Sequence, residues 1–403
     1  MAGITHGRGG TEFVAGGCPR HLVGELPITP GPPVRLLDEA DGVRHWLVTG
    51  YEAGRELLRN PHFSRARSAE QRHPRGPATR MSVTDMDPPR HTRIRHLVSK
   101  AFSARRVAEL RPEIERLAEE LLDQLTAASD GADLLRDFCT PLTFRAQSEL
   151  LGVPPARRDV IFQLANERLG PPGAGPDDIH RGELRLYNAV ADMLHDRHEP
   201  PRGLLGALIT AHEEGQLGTE DDLTGLAASL FFDGHALAAA QIANAVHCVL
   251  SSPGLSRRLR ADRTLLNCVV EESLRYSPAV NLSMTRTATA DVEFAGASMR
   301  AGDQVSVALP LANRDDTVYP DAHRFGTERP ASGHLSFGRG AHFCLGAHLA
   351  RTEISVALTA LLDRVPHLQL AVPPEEMAWW VSSSRRSLTS LPVLWWGARR
   401  QAA

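Results

Sequence analysis

The stretch HLSFGRGAHFCLGAHLAR, residues 334–351, places one cysteine between a glycine-rich turn and an apolar helical pattern. Glycine permits tight turns and close approach of the backbone. Because a helix is predicted to begin directly after Cys344, its positive dipole end favours the thiolate form of that cysteine. A thiolate in this setting is suited either to bind a metal or to act as a nucleophile.

The spacing of this stretch is F-x-x-G-x-x-x-C-x-G, formed by Phe337, Gly340, Cys344 and Gly346. It resembles the haem-binding segment of the cytochrome P450 family. The resemblance implies that Cys344 is the thiolate ligand of the iron of haem b (iron protoporphyrin IX), in a loop over residues 334–346. A thiolate ligand donates electron density to the iron and favours cleavage of the O–O bond. His342 matches a position that lies near a haem propionate.

Further side chains match the family's contacts to the haem propionates. His91 and Arg95 are four residues apart in the helical segment after DPPR, so they share one helix face. Arg286 in TRTA and His334 match the remaining contacts. Because a partly buried dianion needs cationic donors, the resemblance implies that these four residues hold the propionates.

The segment EESLR places Glu272 and Arg275 three residues apart, which by itself is typical of a surface ion pair on a helix. In the family this pair is buried and joined by an arginine, which Arg324 of PDAHRF matches here. A buried acid between two guanidinium groups requires a hydrogen-bonded network. The resemblance therefore implies a structural cluster near the cysteine loop.

The apolar segment SLFFDGHALAAAQI lies in a long helix predicted over about 220–250. In the family this helix crosses the distal side of the haem with the pattern A-G-x-acid-Thr. Gly234 matches the glycine, whereas Asp233 replaces the alanine, Ala236 the acid and Leu237 the threonine. The chain therefore lacks the acid–alcohol pair that delivers protons during O₂ activation, and a positioned proton donor is typically worth about 10²–10⁴-fold in rate.

Four sources could replace this pair. A hydroxyl, amide or indole N–H of the substrate could hold the water, or Asp233 could, because it shares a helix face with Leu237. His235 lies about 200° around the helix from Asp233 and is expected to face away. Peroxide could be the oxidant, but the Arg-Pro pair of the family's fatty-acid peroxygenases is absent. We favour the substrate, with Asp233 as its anchor and with Gly234 leaving room for O₂.

The segments that line the family's substrate pocket are variable, and here most of their side chains are apolar, as is typical of small-molecule sites. The resulting pocket candidates are Met81, Val83, Leu230, Asp233, Leu237, Val280, Leu282, Met284 and Ser383.

Composition is that of an ordinary globular protein, with a formal net charge of -3 and 42% hydrophobic residues, and favours neither nucleic acid nor membrane partners. The five scattered cysteines form no C-x-x-C pair and indicate a reducing compartment, here the cytoplasm. Helical patterns dominate, with a strand-like region after residue 285 and a polar loop over residues 64–90. We expect a mainly α fold with a smaller β-rich portion, the cytochrome P450 fold, as one domain over residues 1–403 with residues 1–20 irregular.

The sequence thus predicts a haem-thiolate monooxygenase or oxidase that acts on a small organic substrate in secondary metabolite biosynthesis, with atypical proton delivery. Oxidative aromatic C–C or C–N coupling, for example of a tryptophan-containing cyclic dipeptide, is one form of this prediction. The alternatives are a peroxide-using enzyme and a catalytically silent partner protein, which the intact cysteine loop disfavours. By resemblance, a monomer receives electrons from NAD(P)H through ferredoxin reductase and a ferredoxin, whose docking candidates are Arg93, Lys100, Arg105, Arg106 and Arg339.

Overall fold

The structure is a computed structural model that describes residues 12–15, 31–40, 42–72, 82–167, 176–196, 198–329, 333–365, 367–381 and 385–395. The described helices are α1 Tyr51–Leu57, α2 Arg65–Arg72, α3 Arg90–Ser99, α4 Ala104–Ala128, α5 Thr140–Leu151, α6 Pro155–Glu167, α7 Pro176–Leu194, α8 Gly203–Glu213, α9 Glu220–Leu250, α10 Leu255–Ala261, α11 Leu265–Tyr276, α12 Leu309–Ala312 and α13 Ala347–Arg364.

The described strands are short: β1 Glu12–Ala15, β2 Val34–Ala40, β3 Val43–Val48, β4 Phe63–Ser64, β5 Gly131–Asp133, β6 Arg286–Ala288, β7 Val292–Phe294, β8 Ala297–Met299, β9 Gln304–Val307, β10 Gln369–Leu370, β11 Ala378–Val381, β12 Arg386–Leu388 and β13 Pro392–Leu394. They form a five-stranded sheet in the order β2-β3-β9-β6-β4, two three-stranded sheets and the β7–β8 pair. The predicted class, mainly α with a smaller β-rich portion, is confirmed. The prediction of a single domain over residues 1–403 stays a prediction.

The helix predicted at about 220–250 is α9, and it begins with a capping box. The Thr219 hydroxyl accepts from the Asp222 N–H, and the Asp222 carboxylate accepts from the Thr219 N–H. Two of the four N–H groups that a helix start leaves without partners are thereby satisfied. The acids TEDD therefore mark the helix start, as their charge favours.

Helix α9 lies in the centre of the protein. Of the described helices, it alone is long and apolar enough to cross a membrane, and 81% of its most apolar window is buried inside the protein. It packs with α5, α11 and α13, and the core cluster around it draws on residues from Val83 to Trp395. A helix that is apolar on nearly all sides is typical of such a central position.

One local prediction is wrong, because part of the polar loop expected over residues 64–90 is the helix α2. The Asp87 carboxylate accepts a bond of 3.0 Å from the backbone N–H of Arg65, the first residue of α2. The guanidinium of Arg65 is buried and donates to the Asp85 carboxylate at 2.7 Å and to the Thr84 carbonyl at 2.9 Å. The helix is thus held by a segment about twenty residues further along the chain, which local polarity does not reveal.

Candidate active site

The cysteine loop is closed by its own backbone. The Cys344 N–H donates to the Phe337 carbonyl at 2.9 Å, and the Phe343 N–H donates to the Gly340 carbonyl at 3.1 Å. Helix α13 begins three residues after Cys344, which is exposed. The loop therefore holds the thiol in front of the positive end of an 18-residue helix.

Two glycines of the loop are required by backbone geometry. Gly338 and Gly340 have φ values of 70° and 73°, a conformation that other residues adopt at a cost. A Cβ on Gly340 would also lie 2.7 Å from the Leu58 carbonyl oxygen, so the loop packs directly on the backbone after α1. Gly346 has an ordinary φ of -79°, and a Cβ there would lie 4.0 Å from the sulfur of Cys344. Its place beside the thiol, rather than backbone strain, connects Gly346 to the site.

Four of the predicted propionate contacts come from three elements and meet on one side of the loop. His91 and Arg95 lie on α3, Arg286 on β6, and His342 in the loop itself. The rings of His91 and His342 have centroids 4.2 Å apart, and Arg95 donates to the Phe343 carbonyl at 2.5 Å. The guanidinium of Arg286 reaches the Phe63 and Leu58 carbonyls, each at 3.2 Å.

These four side chains, called the cationic cluster, have too little negative charge beside them. Burial, and then the charge of Arg95, lower the pKa of His91. Burial, with His91 and Arg286 nearby, lowers the pKa of His342 to about 3. Both ring nitrogens of His91 and Nε of Arg286 are buried without a hydrogen-bond partner. Buried donors without an acceptor are costly, so the cluster fits a dianion that contacts several of them together.

These residues fit the haem that the cysteine loop implies. A cleft of about 890 Å³ opens beside the cluster and is lined in part by His91, Arg95, Gly340 and Ala341, although neither Cys344 nor α9 contributes to its lining. In the described ranges, no group of three or more His, Cys, Asp or Glu side chains could hold a bare metal ion. A single thiolate beside carboxylate-binding cations suits an iron that a porphyrin already holds.

The expected role of His334 at a propionate is wrong. Its Nε2 lies 3.2 Å from the Glu271 carboxylate, and its Nδ1 accepts the Ser336 N–H at 3.3 Å. With both ring nitrogens engaged, the buried ring has no donor left for a carboxylate of a ligand. The carboxylate of Glu271 also accepts two bonds from Arg351, at 2.5 and 2.9 Å.

Glu271, His334 and Arg351 form an ionic cluster, called the second ionic cluster, that contacts the cysteine loop. The guanidinium carbon of Arg351 lies 4.6 Å from the ring centroid of Phe337, the first residue of the loop's motif. Burial alone would raise the pKa of Glu271, but the bonds from His334 and Arg351 bring it down to about 2. Burial lowers the pKa of His334, which therefore contacts Glu271 as a neutral donor near neutral pH.

The first ionic cluster is the one expected around Glu272 and Arg275. This pair forms as expected, but Arg324 is not its third member. Arg275 donates to both oxygens of Glu272, at 2.7 and 2.8 Å, and both side chains are buried. The second guanidinium is that of Arg329, at 2.8 Å from Glu272, not that of Arg324. Arg324 is exposed and contributes only its backbone carbonyl, which accepts from Arg275 and Arg329. The two arginines lie five residues apart in one loop, so spacing alone selects the wrong one.

On α9 a side chain of α5 lies beside Gly234. The φ of Gly234 is not in the left-handed region, yet a Cβ there would lie 2.0 Å from Nε2 of Gln147 on α5. The Gln147 side chain therefore fills the space in that direction, and the expected room for O₂ at Gly234 stays a prediction. Ala236 is buried and Leu237 half-buried, and neither carries a polar side-chain atom. The Asp233 side chain lies outside the described residues, so its role stays a prediction.

The predicted substrate residues are distributed over several clusters. Val83 and Leu230 are buried in the main core cluster, whereas Leu282 packs against Leu47, Ala308 and Leu311. Val280 packs against a second buried cluster, which includes Val48 and Val307 of the five-stranded sheet, and Met284 is 45% exposed. Met81 and Ser383 lie outside the described residues. The substrate pocket therefore stays a prediction.

Three side chains of the candidate site were missed from the sequence: Glu271, Arg351 and Gln147. Glu271 directly precedes the recognised Glu272, and Arg351 ends the quoted cysteine stretch, so their signals were present but local spacing did not pair them. Gln147 stands four residues after Thr143 on α5, a spacing that marks one polar stripe on a largely buried helix.

Replacing Glu271 by glutamine tests the second ionic cluster. Glu271→Gln should lower the free energy of unfolding by about 2–3 kcal/mol at neutral pH, because Arg351 loses a buried counter-charge. The pKa of Glu271 is lower in the folded state, so its stabilising effect is present above about 4.5 and is lost as pH falls toward about 2. Urea unfolding across that range measures the difference between the two proteins.

Glu149→Gln is the matched control, because Glu149 and Arg158 form a half-exposed pair, with side chains 30% and 27% exposed. Such pairs contribute about 0–1 kcal/mol. Equal losses in the two variants, or a loss for Glu271→Gln that does not depend on pH, would contradict the role given to the cluster.

Comparison with known proteins agrees with this geometry. The sequence model described as Cytochrome P450 matches residues 183–380. The Cytochrome P450 monooxygenase PikC of Streptomyces venezuelae is 38% identical over 90% of this chain and 88% of its own length. The solved structure of HinD with NMFT and NO superposes with a TM-score of 0.81, at 38% identity, over 90% of this chain and 93% of HinD.

A further solved structure, the P450 enzyme CxnD for C–S bond formation in chuangxinmycin biosynthesis, has a TM-score of 0.83 at 30% identity, over 94% of each chain. Relatives at these identities extend over nearly the whole chain. The range 183–380 of the family model contains α9, Arg286 and the cysteine loop. The chain belongs to the cytochrome P450 family and is an oxidoreductase of that family.

Proposed function

We propose that this enzyme is a monooxygenase or oxidase that acts on a small organic substrate in natural-product biosynthesis, with protons delivered by an atypical route. The observation that carries the proposal is an intact cysteine loop and cationic cluster combined with an apolar stretch on α9. The first two are what a working haem-thiolate enzyme needs. The third removes the side chains that usually guide protons to O₂.

Haem, when bound, supplies O₂ activation at a thiolate-ligated iron. The chain's own contribution begins with Cys344, whose thiolate the helix start of α13 favours. Arg95 and Arg286 would hold the carboxylates of the cofactor by charge, and His91 and His342 would hold them by hydrogen bonds. The Glu271–His334–Arg351 cluster keeps the loop in place through Phe337.

Proton delivery must come from groups other than those at the usual positions. Leu237 has no polar atom, and Ala236 has no side chain long enough to replace an acid. A polar group of the substrate, held by Asp233, therefore remains our first candidate for ordering the water. Because a buried acid is costly unless it is paired, a donor on the substrate would also satisfy Asp233.

The substrate class is argued by likeness. PikC is named a monooxygenase, and CxnD is described as forming a C–S bond in chuangxinmycin biosynthesis. Enzymes of this type thus include bond-forming as well as hydroxylating members. More specifically, we propose that the reaction is oxidative aromatic C–C or C–N coupling. A tryptophan-containing cyclic dipeptide is the first substrate to test. Its indole N–H supplies the polar donor that α9 lacks.

Electrons are proposed to come from NAD(P)H through a ferredoxin reductase and a ferredoxin, to a monomer in the cytoplasm. Of the five docking candidates, Arg93 and Lys100 are exposed on and just after α3. Arg105 and Arg106 both pair with Glu109 on their own helix, and Arg339 donates to the Gly333 carbonyl. Arg93 and Lys100 are therefore the strongest candidates for contacts to an acidic ferredoxin.

The electron source separates the proposed function from its alternatives. Turnover of a substrate found by a binding-induced spin-shift screen should require ferredoxin, its reductase and NAD(P)H, with peroxide alone giving at most about a tenth of that rate. Product is quantified by mass spectrometry for both conditions. Equal rates would favour the peroxide-using alternative, and absence of turnover in both conditions with every screened substrate would favour the catalytically silent one.

Replacing Leu237 by threonine tests whether α9 is merely impaired. If protons reach O₂ by another route, Leu237→Thr and its isosteric control Leu237→Val should have the same kcat within about twofold. A hydroxyl that restores the usual route would instead raise kcat of the threonine variant by about 10²-fold or more above the valine variant. That gain would show that the atypical route is not the one this enzyme uses.

A further inference from the structure

A side chain from α5 fills the space beside Gly234 on α9. A Cβ on Gly234 would lie 2.0 Å from Nε2 and 2.7 Å from Cδ of Gln147. Any larger residue at position 234 would displace the amide, and no left-handed backbone conformation explains the glycine. Gly234 is therefore the residue that lets the Gln147 amide touch the backbone of α9.

The amide contacts α9 at a defined point. Nε2 of Gln147 donates to the Leu230 carbonyl at 2.5 Å. Residue 230 is four positions before Gly234, so this is the carbonyl that accepts from the Gly234 N–H in a regular helix. One turn earlier on α5, the Thr143 hydroxyl lies 3.1 Å from the His235 carbonyl and 3.0 Å from the Cys139 carbonyl. Helix α5 thus presents polar side chains to α9 on both sides of positions 233–234.

The orientation of the amide is set by this bond. Because a carbonyl oxygen can only accept, the Gln147 atom facing Leu230 must be the nitrogen, and Oε1 must face the other way. Oε1 is buried without a hydrogen-bond partner, and Gln147 as a whole is 4% exposed. The hydroxyl oxygen of the neighbouring Ser148 is also buried without a partner.

A buried acceptor without a donor is costly, so native proteins satisfy such atoms. The usual donor in a polar interior space is an ordered water. This acceptor would lie 3.1 Å from a Cβ on Gly234. Gly234 precedes by two and three residues the positions Ala236 and Leu237, where the acid and alcohol are missing. The chain therefore combines an apolar α9 with an amide that approaches it from a neighbouring helix.

We propose that Gln147 binds an ordered water through Oε1 beside Gly234 and is the positioning residue for proton delivery on this side of α9. The proposal rests on the proposed function, because it assumes that NAD(P)H-derived electrons reduce O₂ here. Gln147 acts through the water and does not itself exchange protons. Asp233 and the substrate are then contacts on the reaction side, and Gln147 supports the water from the α5 side.

A substrate-free assay measures the effect of Gln147 on proton delivery. With ferredoxin, reductase and NAD(P)H, O₂ takes two electrons and two protons to give peroxide, or four electrons and four protons to give two waters. The NAD(P)H consumed per O₂ therefore rises from one to two as proton delivery improves. Without substrate, only the α5 side holds the water, so we expect wild type to lie measurably above one but below two. Gln147→Met, which keeps the size but removes both amide groups, should fall close to one.

Two further variants separate positioning from stability. Gln147→Glu, neutral when buried, can donate to Leu230 and accept from the water, so it should keep the wild-type ratio. Asn244→Leu removes another buried amide of α9, whose nitrogen also donates to backbone carbonyls and whose oxygen also has no partner. It lies ten residues from Gly234, and its ratio should equal that of wild type. Equal ratios for Gln147→Met and wild type would overturn the role in proton delivery.

A crystal structure of the haem-loaded enzyme tests directly whether this water is present. We expect an ordered water about 2.6–3.2 Å from Oε1 of Gln147, absent in Gln147→Met. A protein donor on Oε1 and no water would overturn the proposal. If NAD(P)H drives no O₂ consumption in wild type, the proposed function fails, and the crystal structure still decides whether Gln147 binds the water.

Discussion

A set of buried side-chain donors beside Cys344, two of them guanidinium groups, is the constraint on which the rest of this structure depends. Helix α3, strand β6 and the cysteine loop deliver His91, Arg95, Arg286 and His342 to one place, where several donors have no acceptor. Such an arrangement is unfavourable in a protein that binds nothing there. The arrangement fits a dianionic cofactor, and we propose that the three elements hold one together.

Two consecutive acids, Glu271 and Glu272, each hold a different segment of the chain near the cysteine loop. Glu272 fixes Arg275 and Arg329, and so the loop that contains Arg324, whereas Glu271 fixes His334 and Arg351 on either side of Phe337. Both acids lie on α11, so one helix sets the position of two loop segments. Beside Gly234, helix α5 supplies the amide of Gln147. The stretch of α9 that lacks the usual acid and alcohol is thus also the stretch that Gln147 contacts.

What could be predicted from the sequence depends on how local each feature is. The cysteine loop and its glycines are set within ten residues, and the start of α9 is set by TEDD, so both could be inferred from the chain alone. The partner of Glu272 could not, because Arg324 and Arg329 differ only in which way their loop turns. Helix α2 depends on Asp87, and Gly234 depends on Gln147, more than 80 residues away. Such contacts follow from tertiary packing, which spacing in one sequence does not encode.

The most direct test is the CO difference spectrum of the reduced, haem-loaded protein, recorded for wild type and for Cys344→Ser. The account predicts that wild type shows the strongly red-shifted Soret band of thiolate-ligated ferrous haem, and that the variant binds haem without that band. A wild-type protein that binds haem but lacks the band, or a variant that keeps it, would contradict the assignment of Cys344.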